Sequence, residues 1–587
     1  MSAGAPSIYA ALRQAWSELT APGAPFEVEV ARVRGIPLRT YARAPRTLVD
    51  VWSAAGAHGD ADYLVYEGDR WTYAQAQRDA AALAGWLAAH GAGPGARVAI
   101  AMRNYPEWVL GYWATLATGA SVVGMNAWWT TAEMDYALGD AAPVVLVCDE
   151  ERLERFRATE RARAGDAPRV VAVRVAPNES EDATPFAETL AHAPLASIPA
   201  IDPDDDACIF YTSGTTGHPK GARLTHRSCV ANLWSIAFWN AAQRRVAELR
   251  AGADARAGAG AAAAKAGGAP AARPRTVSLV ATPLFHVTAN NCVLHPATAS
   301  GAKVVLMYKW DAGRALALVE AERVTALSGV PTMTRELLAH PDAARRDLSS
   351  LLVLGGGGSA LQPDLVDKIE KSAAKRRPNT GYGLTETSGI ITTSMGDFLV
   401  AKPASVGPAM PCFETRCVAE DGRVVGPGEL GELEVRGAQV VAGYLNRPEA
   451  TAEAIVDGWF KTGDVAFVDA DGFVTIADRK KDMVLRGGEN VYCAEVEYAI
   501  FDHPDVVECA VFGVPDERLG EEVGAAVVVR KGAALTADAV RAHCAERIAA
   551  YKVPRFVWLL DAPLPRNATG KFLKRELRER LAPGDAR

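Results

Sequence analysis

Paired cysteines, an excess of basic charge and long apolar runs are all missing from this sequence. The nine cysteines are scattered without a C-x-x-C pair, which argues against a disulfide framework or a zinc site and favours a reducing, cytoplasmic location. A net charge of -7 argues against a nucleic-acid partner. No apolar stretch approaches the roughly 18 residues of a membrane-spanning helix, and the N-terminus does not resemble a signal peptide. Peripheral membrane contact is left open.

The chain does have a long alternation of short apolar strands and helices, which begins near Thr47. Strands such as Tyr63–Tyr66 and Arg97–Met102 alternate with helices such as Ala74–His90, as in a layered α/β domain. Further along, 428–437 and 440–444 are predicted to form strands of a small β-rich region. A length of 587 residues is too great for one core, so at least two domains are expected. Residues 247–272 are nearly all Ala and Gly, and we predict a flexible insertion there.

The most informative stretch is an eleven-residue loop, Tyr211-Thr-Ser-Gly-Thr-Thr-Gly-His-Pro-Lys-Gly221. Its glycines let backbone N–H groups converge on an anion, its hydroxyls add donors, and Lys220 adds a mobile positive charge. It is not a Walker loop, because Lys220 is followed by Gly221 and not by Ser or Thr. We predict a polyphosphate loop. Its candidate ligands besides Lys220 are Thr212, Ser213, Gly214, Thr215, Thr216 and Gly217.

Two further motifs suit a nucleotide. A predicted strand ends in Gly355-Gly-Gly-Gly-Ser359, where backbone can approach a flat or charged ligand closely. In Gly381-Tyr-Gly-Leu-Thr-Glu-Thr387, the Tyr382 ring can stack on a purine, Thr385 can donate to a phosphate, and Glu386 is a hard oxygen ligand for Mg²⁺. The candidate nucleotide contacts are Gly357, Gly358, Ser359, Gly381, Tyr382 and Gly383.

These motifs, in this order, resemble those of the adenylate-forming superfamily, which includes acyl-CoA synthetases, the adenylation domains of peptide synthetases and luciferases. The resemblance extends over most of the chain. Trp459–Asp464 is similar to the segment whose aspartate holds the ribose, 478–490 to the interdomain hinge, and Leu564–Lys571 to the C-terminal catalytic loop. The sequence departs from many relatives at Cys493, where they have proline.

The resemblance implies a large multi-subdomain N-terminal domain over 1–480, which binds ATP and the acid, and a small, mobile α+β lid domain over 481–587. It also implies roles for single residues: Asp464 and Arg479 on the ribose, Lys481 as the hinge, Gly488 in the thiol tunnel. The implied catalytic set is Lys571, Glu386, Thr385 and His286, with Glu386 holding Mg²⁺ and His286 positioning or gating.

The implied reaction is ATP-dependent formation of acyl-AMP with release of pyrophosphate, followed by thioester formation with coenzyme A. Gly381 has no side chain to close the acyl pocket, which favours a medium- or long-chain fatty acid or a bulky aromatic or cyclic acid over acetate. Asn290, Asn291 and Cys292 are candidate lining residues. A carrier-protein thiol as acceptor and a non-catalytic nucleotide sensor are the alternatives. A homodimer is left open.

Overall fold

The structure, a computed structural model, describes residues 6–165, 167–176, 182–212, 218–257, 275–358, 361–372, 376–487, 489–567 and 570–586. Within these ranges the predicted α/β architecture is confirmed, with five β-sheets flanked by helices. Part of the alanine- and glycine-rich segment, 258–272, and several predicted site residues lie outside the described residues. Those site residues are Ser213, Gly214, Thr215, Thr216, Gly217, Ser359 and Gly488.

The first third of the chain contributes most of a seven-stranded sheet. The elements are α1 (Ile8–Thr20), β1 (Val28–Val33), β2 (Ile36–Tyr41), α2 (Leu48–Ala55), β3 (Asp62–Tyr66), β4 (Asp69–Thr72), α3 (Tyr73–Ala89), β5 (Arg97–Ala101), α4 (Pro106–Ala117), β6 (Ser121–Gly124), α5 (Thr131–Ala141), β7 (Val145–Asp149), α6 (Glu150–Arg157), α7 (Glu160–Ala164), β8 (Arg169–Val173), β9 (Thr184–Pro185), α8 (Phe186–Thr189), β10 (Asp206–Thr212) and β11 (Lys220–Thr225). The strand order is β11-β10-β6-β5-β7-β8-β9, with β10 and β11 antiparallel. Strands β5, β6 and β7 are almost fully buried, as expected where helices cover both faces of a parallel sheet.

The middle of the chain builds an eight-stranded sheet, which β3 and β4 complete. The elements are α9 (His226–Ala257), β12 (Val277–Val280), α10 (Val287–Ala289), α11 (His295–Ser300), β13 (Lys303–Leu306), α12 (Ala312–Glu322), β14 (Ala326–Gly329), α13 (Pro331–Ala339), β15 (Val353–Gly357), α14 (Pro363–Glu370), β16 (Arg377–Leu384), β17 (Gly389–Met395) and α15 (Asp397–Ala401). The order in the described chain is β17-β16-β15-β14-β12-β13-β3-β4. The glycine-rich end of β15 therefore lies between two strands, β14 and β16.

Two smaller sheets follow. The elements are β18 (Gly407–Pro408), β19 (Phe413–Val418), β20 (Gly431–Gly437), α16 (Pro448–Ala454), β21 (Ile455–Val456), β22 (Trp459–Val468), β23 (Phe473–Arg479), β24 (Val484–Arg486), β25 (Glu489–Val491), α17 (Cys493–Phe501), β26 (Val506–Asp516), β27 (Gly520–Val529), α18 (Ala537–Ala545), β28 (Phe556–Leu560) and α19 (Lys574–Arg580). Strands β24 to β28 share one sheet, and Val484, Val511 and Val527 belong to an apolar cluster built entirely from residues of this last part of the chain.

Helix α9 corrects the predicted extent of the insertion. The helix continues to Ala257, so residues 247–257 are helical and not part of a flexible loop. Its earlier turns bury Phe238, Trp239 and Val246, and a helix that packing has already nucleated extends through alanines at little cost. None of the helices in the described ranges combines the length and apolar character needed to cross a bilayer.

The prediction of a strand at Val440–Tyr444 was wrong. The segment bends at Gly443, whose φ is +137°, and forms no regular strand; Tyr444 alone pairs, in an isolated bridge with Ala222 of β11. Val441 N donates to the carbonyl oxygen of Glu386 over 3.0 Å, and Arg223 N donates to that of Gly443 over 2.9 Å. The segment thereby links β11 to the turn that carries Glu386.

The glycines of β15 provide a test of the fold. Gly356 has a φ of +149°, and a Cβ there would lie 1.9 Å from the carbonyl oxygen of Gly329. We expect Gly356→Ala to destabilise the protein by about 1–3 kcal/mol, because backbone must shift to relieve this overlap. Gly93→Ala is the matched control, since a Cβ there meets nothing within 4 Å. Urea unfolding followed by tryptophan fluorescence should give a lower midpoint for Gly356→Ala alone; equal midpoints would contradict the packing.

Candidate active site

The predicted phosphate loop joins the two strands of a hairpin. Thr212 at the end of β10 lies opposite Lys220 at the start of β11, so these two residues flank the loop at its base. Thr212 Oγ1 donates to the carbonyl oxygen of Lys220 over 3.4 Å. The strand register therefore places Thr212 and Lys220 side by side at the edge of the seven-stranded sheet.

Tyr444 connects the phosphate loop to the acidic turn. The Lys220 ammonium lies 5.3 Å from the centre of the Tyr444 ring, and the Tyr444 hydroxyl donates to Glu386 Oε1 over 2.9 Å. Burial, followed by the neighbouring Glu386 carboxylate, raises the pKa of Tyr444, so the hydroxyl remains a donor. Lys220 and Glu386, which the sequence predicted separately, are thus brought to one place by a residue that the sequence analysis had assigned to a strand.

Glu386 and Thr385 lie half-buried in a short turn after β16. In the described residues, no cluster of three or more His, Cys, Asp or Glu side chains suits a metal ion. Proteins often hold Mg²⁺ through one or two carboxylates with substrate phosphates completing the octahedron. The Glu386 carboxylate beside a phosphate loop fits that donor set, in which Mg²⁺ would neutralise phosphate charge.

A buried carboxylate lies at the centre of the predicted ribose site. Asp464 is 3% exposed, accepts a 2.6 Å hydrogen bond from the Tyr382 hydroxyl, and pairs with Arg479 Nε at 3.3 Å. Arg479 lies directly opposite Asp464 in the β22/β23 ladder. Burial raises the pKa of Asp464, while Arg479 and the Tyr382 hydroxyl limit the increase. The predicted pair of Asp464 and Arg479 is therefore in contact, and Tyr382 joins it through a hydroxyl bond that the sequence did not reveal.

The predicted glycines lie where two strands approach without side chains. Gly357 in β15 pairs with Gly381 in β16, and a Cβ on Gly357 would lie 2.8 Å from the Gly381 carbonyl oxygen. A Cβ on Gly383 would lie 1.8 Å from the Gly389 carbonyl oxygen. Gly358 has a φ of +86°, in the left-handed region. These close approaches leave no room for side chains at the strand ends, so only backbone atoms lie there.

Lys571 lies beside these charged groups. Its loop is docked against the large domain at Gly570, where a Cβ would lie 2.9 Å from Val330 Cγ2. Burial and the positive charge of Arg479 lower the pKa of Lys571 to about 8, against the opposing effect of Asp464 and Glu386. The lysine ammonium is thus close enough to both carboxylates for their charges to act on it.

His286 lies close enough to Lys571 for the lysine charge to act on it. Burial and the positive charge of Lys571 lower the pKa of His286 to about 4, so the imidazole is neutral at neutral pH. His286 Nε2 is buried without a hydrogen-bond partner among the described residues. A neutral imidazole with a free ring nitrogen can accept or donate a hydrogen bond to a ligand, as a positioning residue would.

The predicted hinge follows β23 directly. Lys481 is exposed, yet its charge contributes to lowering the Lys571 pKa. The neighbouring Asp478 carboxylate accepts from the backbone N–H groups of Arg479 and Cys493. Cys493, the position that departs from many relatives, uses its backbone N–H for this contact, which a proline could not make.

A cavity of about 140 Å³, partly open to solvent, is lined on one side by the glycines at the ends of β15 and β16. Its lining includes Gly381 and Cys292 but neither of the two asparagines. Asn290 and Asn291 are fully buried and bonded to each other, and Asn291 Nδ2 donates to the Ser388 carbonyl oxygen over 2.9 Å. The lining side chains that sequence reasoning missed come mainly from α9 and β17: Ile236, Trp239, Ile390, Thr393 and Met395.

Comparison with known proteins decides the family. A profile described as AMP-binding enzyme matches residues 51–445, and one described as AMP-binding enzyme C-terminal domain matches 495–571. The chain belongs to the AMP-binding enzyme family. Two solved structures of this family resemble it closely. They are o-succinylbenzoate CoA synthetase of Bacillus subtilis in complex with its acyl-adenylate (TM-score 0.73, 28% identity, 90% of this chain and 97% of that one) and ATP-bound MatB of Rhodopseudomonas palustris (0.75, 29%, 90% and 98%).

Curated relatives of this AMP-binding enzyme are acyl-CoA ligases. A feruloyl-CoA synthase of an Amycolatopsis species is 37% identical over 87% of this chain and 94% of the relative. A long-chain-fatty-acid–CoA ligase of Bacillus subtilis is 31% identical over 90% and 93%. The protein is therefore an AMP-forming acid–thiol ligase of the acyl-CoA synthetase type, a class that uses ATP, Mg²⁺ and coenzyme A.

The lowered pKa of Lys571 predicts a pH limit on catalysis. The positive charge is lost as pH rises through about 8, so kcat/KM for ATP should fall about tenfold per pH unit above that value. In the pH profile of kcat the decrease should begin at a higher pH, because the phosphates of bound ATP stabilise the charged form of Lys571. Lys571→Arg, which stays charged, should retain residual activity without this limb. An identical limb in the variant would assign the titration to another group.

Proposed function

We propose that this acyl-CoA synthetase activates a compact, ring-bearing carboxylic acid. The size of the acyl cavity carries the proposal. An apolar cavity of roughly 150 Å³ is known to hold one benzene ring, and the cavity here is about 140 Å³. A linear chain of sixteen carbons would need several times that space, or an opening past the exposed Asn240 at the rim.

The relatives support the same choice. The feruloyl-CoA synthase and the 2-succinylbenzoate–CoA ligase of Geobacillus kaustophilus, which is 34% identical, are named for aromatic acids. The ligases named for long-chain fatty acids are 31–32% identical. A fatty acid remains the alternative substrate class, and a carrier-protein thiol remains the alternative acceptor. A non-catalytic sensor is disfavoured because Lys220, Glu386, Asp464, Arg479 and Lys571 are all present.

In the first step, a carboxylate oxygen of the acid attacks the α-phosphorus of ATP, and the bond to the β-phosphate breaks to release pyrophosphate. Both reactants are anions, so cations must neutralise the repulsion and hold the groups in line. In our proposal Lys571 donates hydrogen bonds to both the carboxylate and the α-phosphate. Lys220, Thr212 and the loop between them would hold the β- and γ-phosphates. Thr385 would donate to a phosphate, and Glu386 would hold Mg²⁺.

The nucleoside would lie across the buried carboxylate. Asp464 and Arg479 would bind the ribose, while Tyr382 and the backbone of Gly357, Gly358, Gly381 and Gly383 hold adenine. The Tyr382 hydroxyl fixes the tyrosine ring relative to Asp464 at 2.6 Å, which supports placing base and ribose together.

In the second step, the thiol attacks the acyl carbon and AMP leaves. We propose a division into a large domain over 1–480 and a lid over 481–587, which turns about Lys481 and withdraws Lys571 so that the thiol can enter past His286. The separate apolar core of the last sheet supports a rigid lid. A cytoplasmic setting is proposed as well, since nine scattered cysteines suit a reducing compartment.

The two half-reactions separate the roles of the lid. We expect Lys571→Ala to reduce adenylation by at least about 100-fold, because a preorganised charge at the α-phosphate is lost. Thioester formation from supplied acyl-AMP and coenzyme A should stay within about threefold of wild type. Lys371→Ala, an exposed lysine with a 75% exposed side chain, is the control and should leave both rates unchanged. Equal loss of both half-reactions in Lys571→Ala would contradict its assigned role.

A panel of acids tests the substrate class. Release of AMP should be measured with acetate, octanoate, palmitate, benzoate, hydroxycinnamates and a bicyclic acid, each with and without coenzyme A. We expect ring-bearing acids to exceed palmitate in kcat/KM by about tenfold or more. An alkyl chain that does not fit a hydrophobic pocket costs about 1–3 kcal/mol of transition-state binding, and about 1.4 kcal/mol already corresponds to a tenfold change. A preference for palmitate would establish the fatty-acid alternative. AMP release from no acid, with ATP still bound, would revive the sensor.

A further inference from the structure

Tyr444 contacts two charged residues of the candidate phosphate site through different parts of its side chain. The centre of its ring lies 5.3 Å from Lys220 Nζ, and its hydroxyl donates to Glu386 Oε1 over 2.9 Å. Tyr444 is half-buried and takes no part in either proposed half-reaction. Its position between a cation and a carboxylate therefore requires a separate explanation.

The cation and the carboxylate do not pair with each other. Among the described residues, Lys220 forms no salt bridge, and the hydrogen bond from Tyr444 is the only one that a side chain donates to Glu386. Opposite charges at one site attract, and a lysine side chain is flexible enough to follow that attraction. Such an ion pair would neutralise the charge proposed for the β- and γ-phosphates and would occupy the carboxylate proposed for Mg²⁺.

The backbone around Tyr444 is anchored to both charged groups. Tyr444 forms an isolated β-bridge with Ala222, which follows Lys220 by two residues in β11. Earlier in the same segment, Val441 N donates to the carbonyl oxygen of Glu386 over 3.0 Å. The tyrosine side chain thus extends from backbone that is bonded on one side to the strand of the lysine and on the other to the turn of the carboxylate.

We propose that Tyr444 is a positioning residue that keeps Lys220 and Glu386 apart, so that one remains available to phosphate and the other to Mg²⁺. An aromatic face attracts a cation about as strongly as an exposed carboxylate does, so the ring can hold the ammonium without a countercharge. The hydroxyl orients the carboxylate through Glu386 Oε1, while Oε2 accepts no hydrogen bond from a described side chain. The inference rests on the proposed function, which assigns these two groups to phosphate and metal.

Removing the hydroxyl alone tests its effect on the carboxylate. Tyr444→Phe keeps the ring and should raise the half-saturating Mg²⁺ concentration for acid-dependent pyrophosphate exchange about tenfold, as for loss of a group that orients a metal ligand. The KM for ATP at saturating Mg²⁺ should change by less than about twofold, because the ring still holds Lys220. An unchanged Mg²⁺ dependence, or an equal rise in the KM for ATP, would overturn the proposal.

ATP binding without metal tests the ring and needs no turnover. In EDTA, calorimetric titration should show that Tyr444→Leu binds ATP about tenfold more weakly than wild type, because Lys220 then pairs with Glu386, whereas Tyr444→Phe should stay within about twofold. Glu386→Gln removes the competing carboxylate, so in that background Tyr444→Leu should weaken binding by less than about twofold. A loss of the same size in the double variant would reduce Tyr444 to a structural role and overturn the proposal.

Tyr73→Phe is the matched control for loss of a tyrosine hydroxyl. The Tyr73 hydroxyl lies 3.0 Å from the carbonyl oxygen of Ala297 and 2.8 Å from that of Ala302, both in the segment that precedes β13. This variant should leave the Mg²⁺ dependence and the ATP affinity unchanged; a shift as large as that of Tyr444→Phe would overturn the proposal. Wild type that binds no ATP would overturn the proposed function as well, whereas equal ATP affinity in EDTA for wild type and Tyr444→Leu would overturn this inference alone.

Discussion

The buried carboxylate of Asp464 is the constraint on which the site depends. At 3% exposure it could not remain charged without partners, and three parts of the chain supply them: the Tyr382 hydroxyl from β16, Arg479 from the opposite strand β23, and the nearby ammonium of Lys571 from the last loop. Because a buried charge that loses its partners is expensive, the same contacts that stabilise Asp464 align the eight-stranded sheet, the small sheet and the lid. One side chain thus links the residues proposed to hold base and ribose with the lysine proposed to be catalytic.

The balance of charge around this carboxylate supports our proposal that Lys571 acts in the first step and is withdrawn before the second. Lys571 is held by Asp464 and Glu386 but repelled by Arg479 and Lys481, and its burial already disfavours the ammonium. A cation in that position gains most when an anionic phosphate and a carboxylate arrive, so it is complementary to the charge of the adenylation step. After pyrophosphate has left, less negative charge remains to retain it. The neutral His286 adds no competing charge at the thiol entrance.

Sequence reasoning was strongest where a motif is local. The phosphate-loop motif between Thr212 and Lys220 and the glycine motifs of β15 and β16 could be recognised from short stretches, because their backbone requirements depend on neighbouring residues alone. Contacts between residues far apart in the chain could not be predicted from the sequence. Tyr444 was assigned to a strand because its neighbours are apolar, yet its hydroxyl meets Glu386, 58 positions away. The length of α9 was missed because helix extension depends on packing earlier in the helix.

The proposed mechanism requires that the acyl-adenylate forms before any thiol binds. Exchange of labelled pyrophosphate into ATP, measured with acid and Mg²⁺ but with no coenzyme A present, tests this most directly. The two-step mechanism predicts rapid exchange that depends on the acid, because adenylation is reversible while pyrophosphate is bound. Exchange that appears only when coenzyme A is added would mean that acid, ATP and thiol react in one concerted complex, and the assignment of separate half-reactions to the two domains would fall.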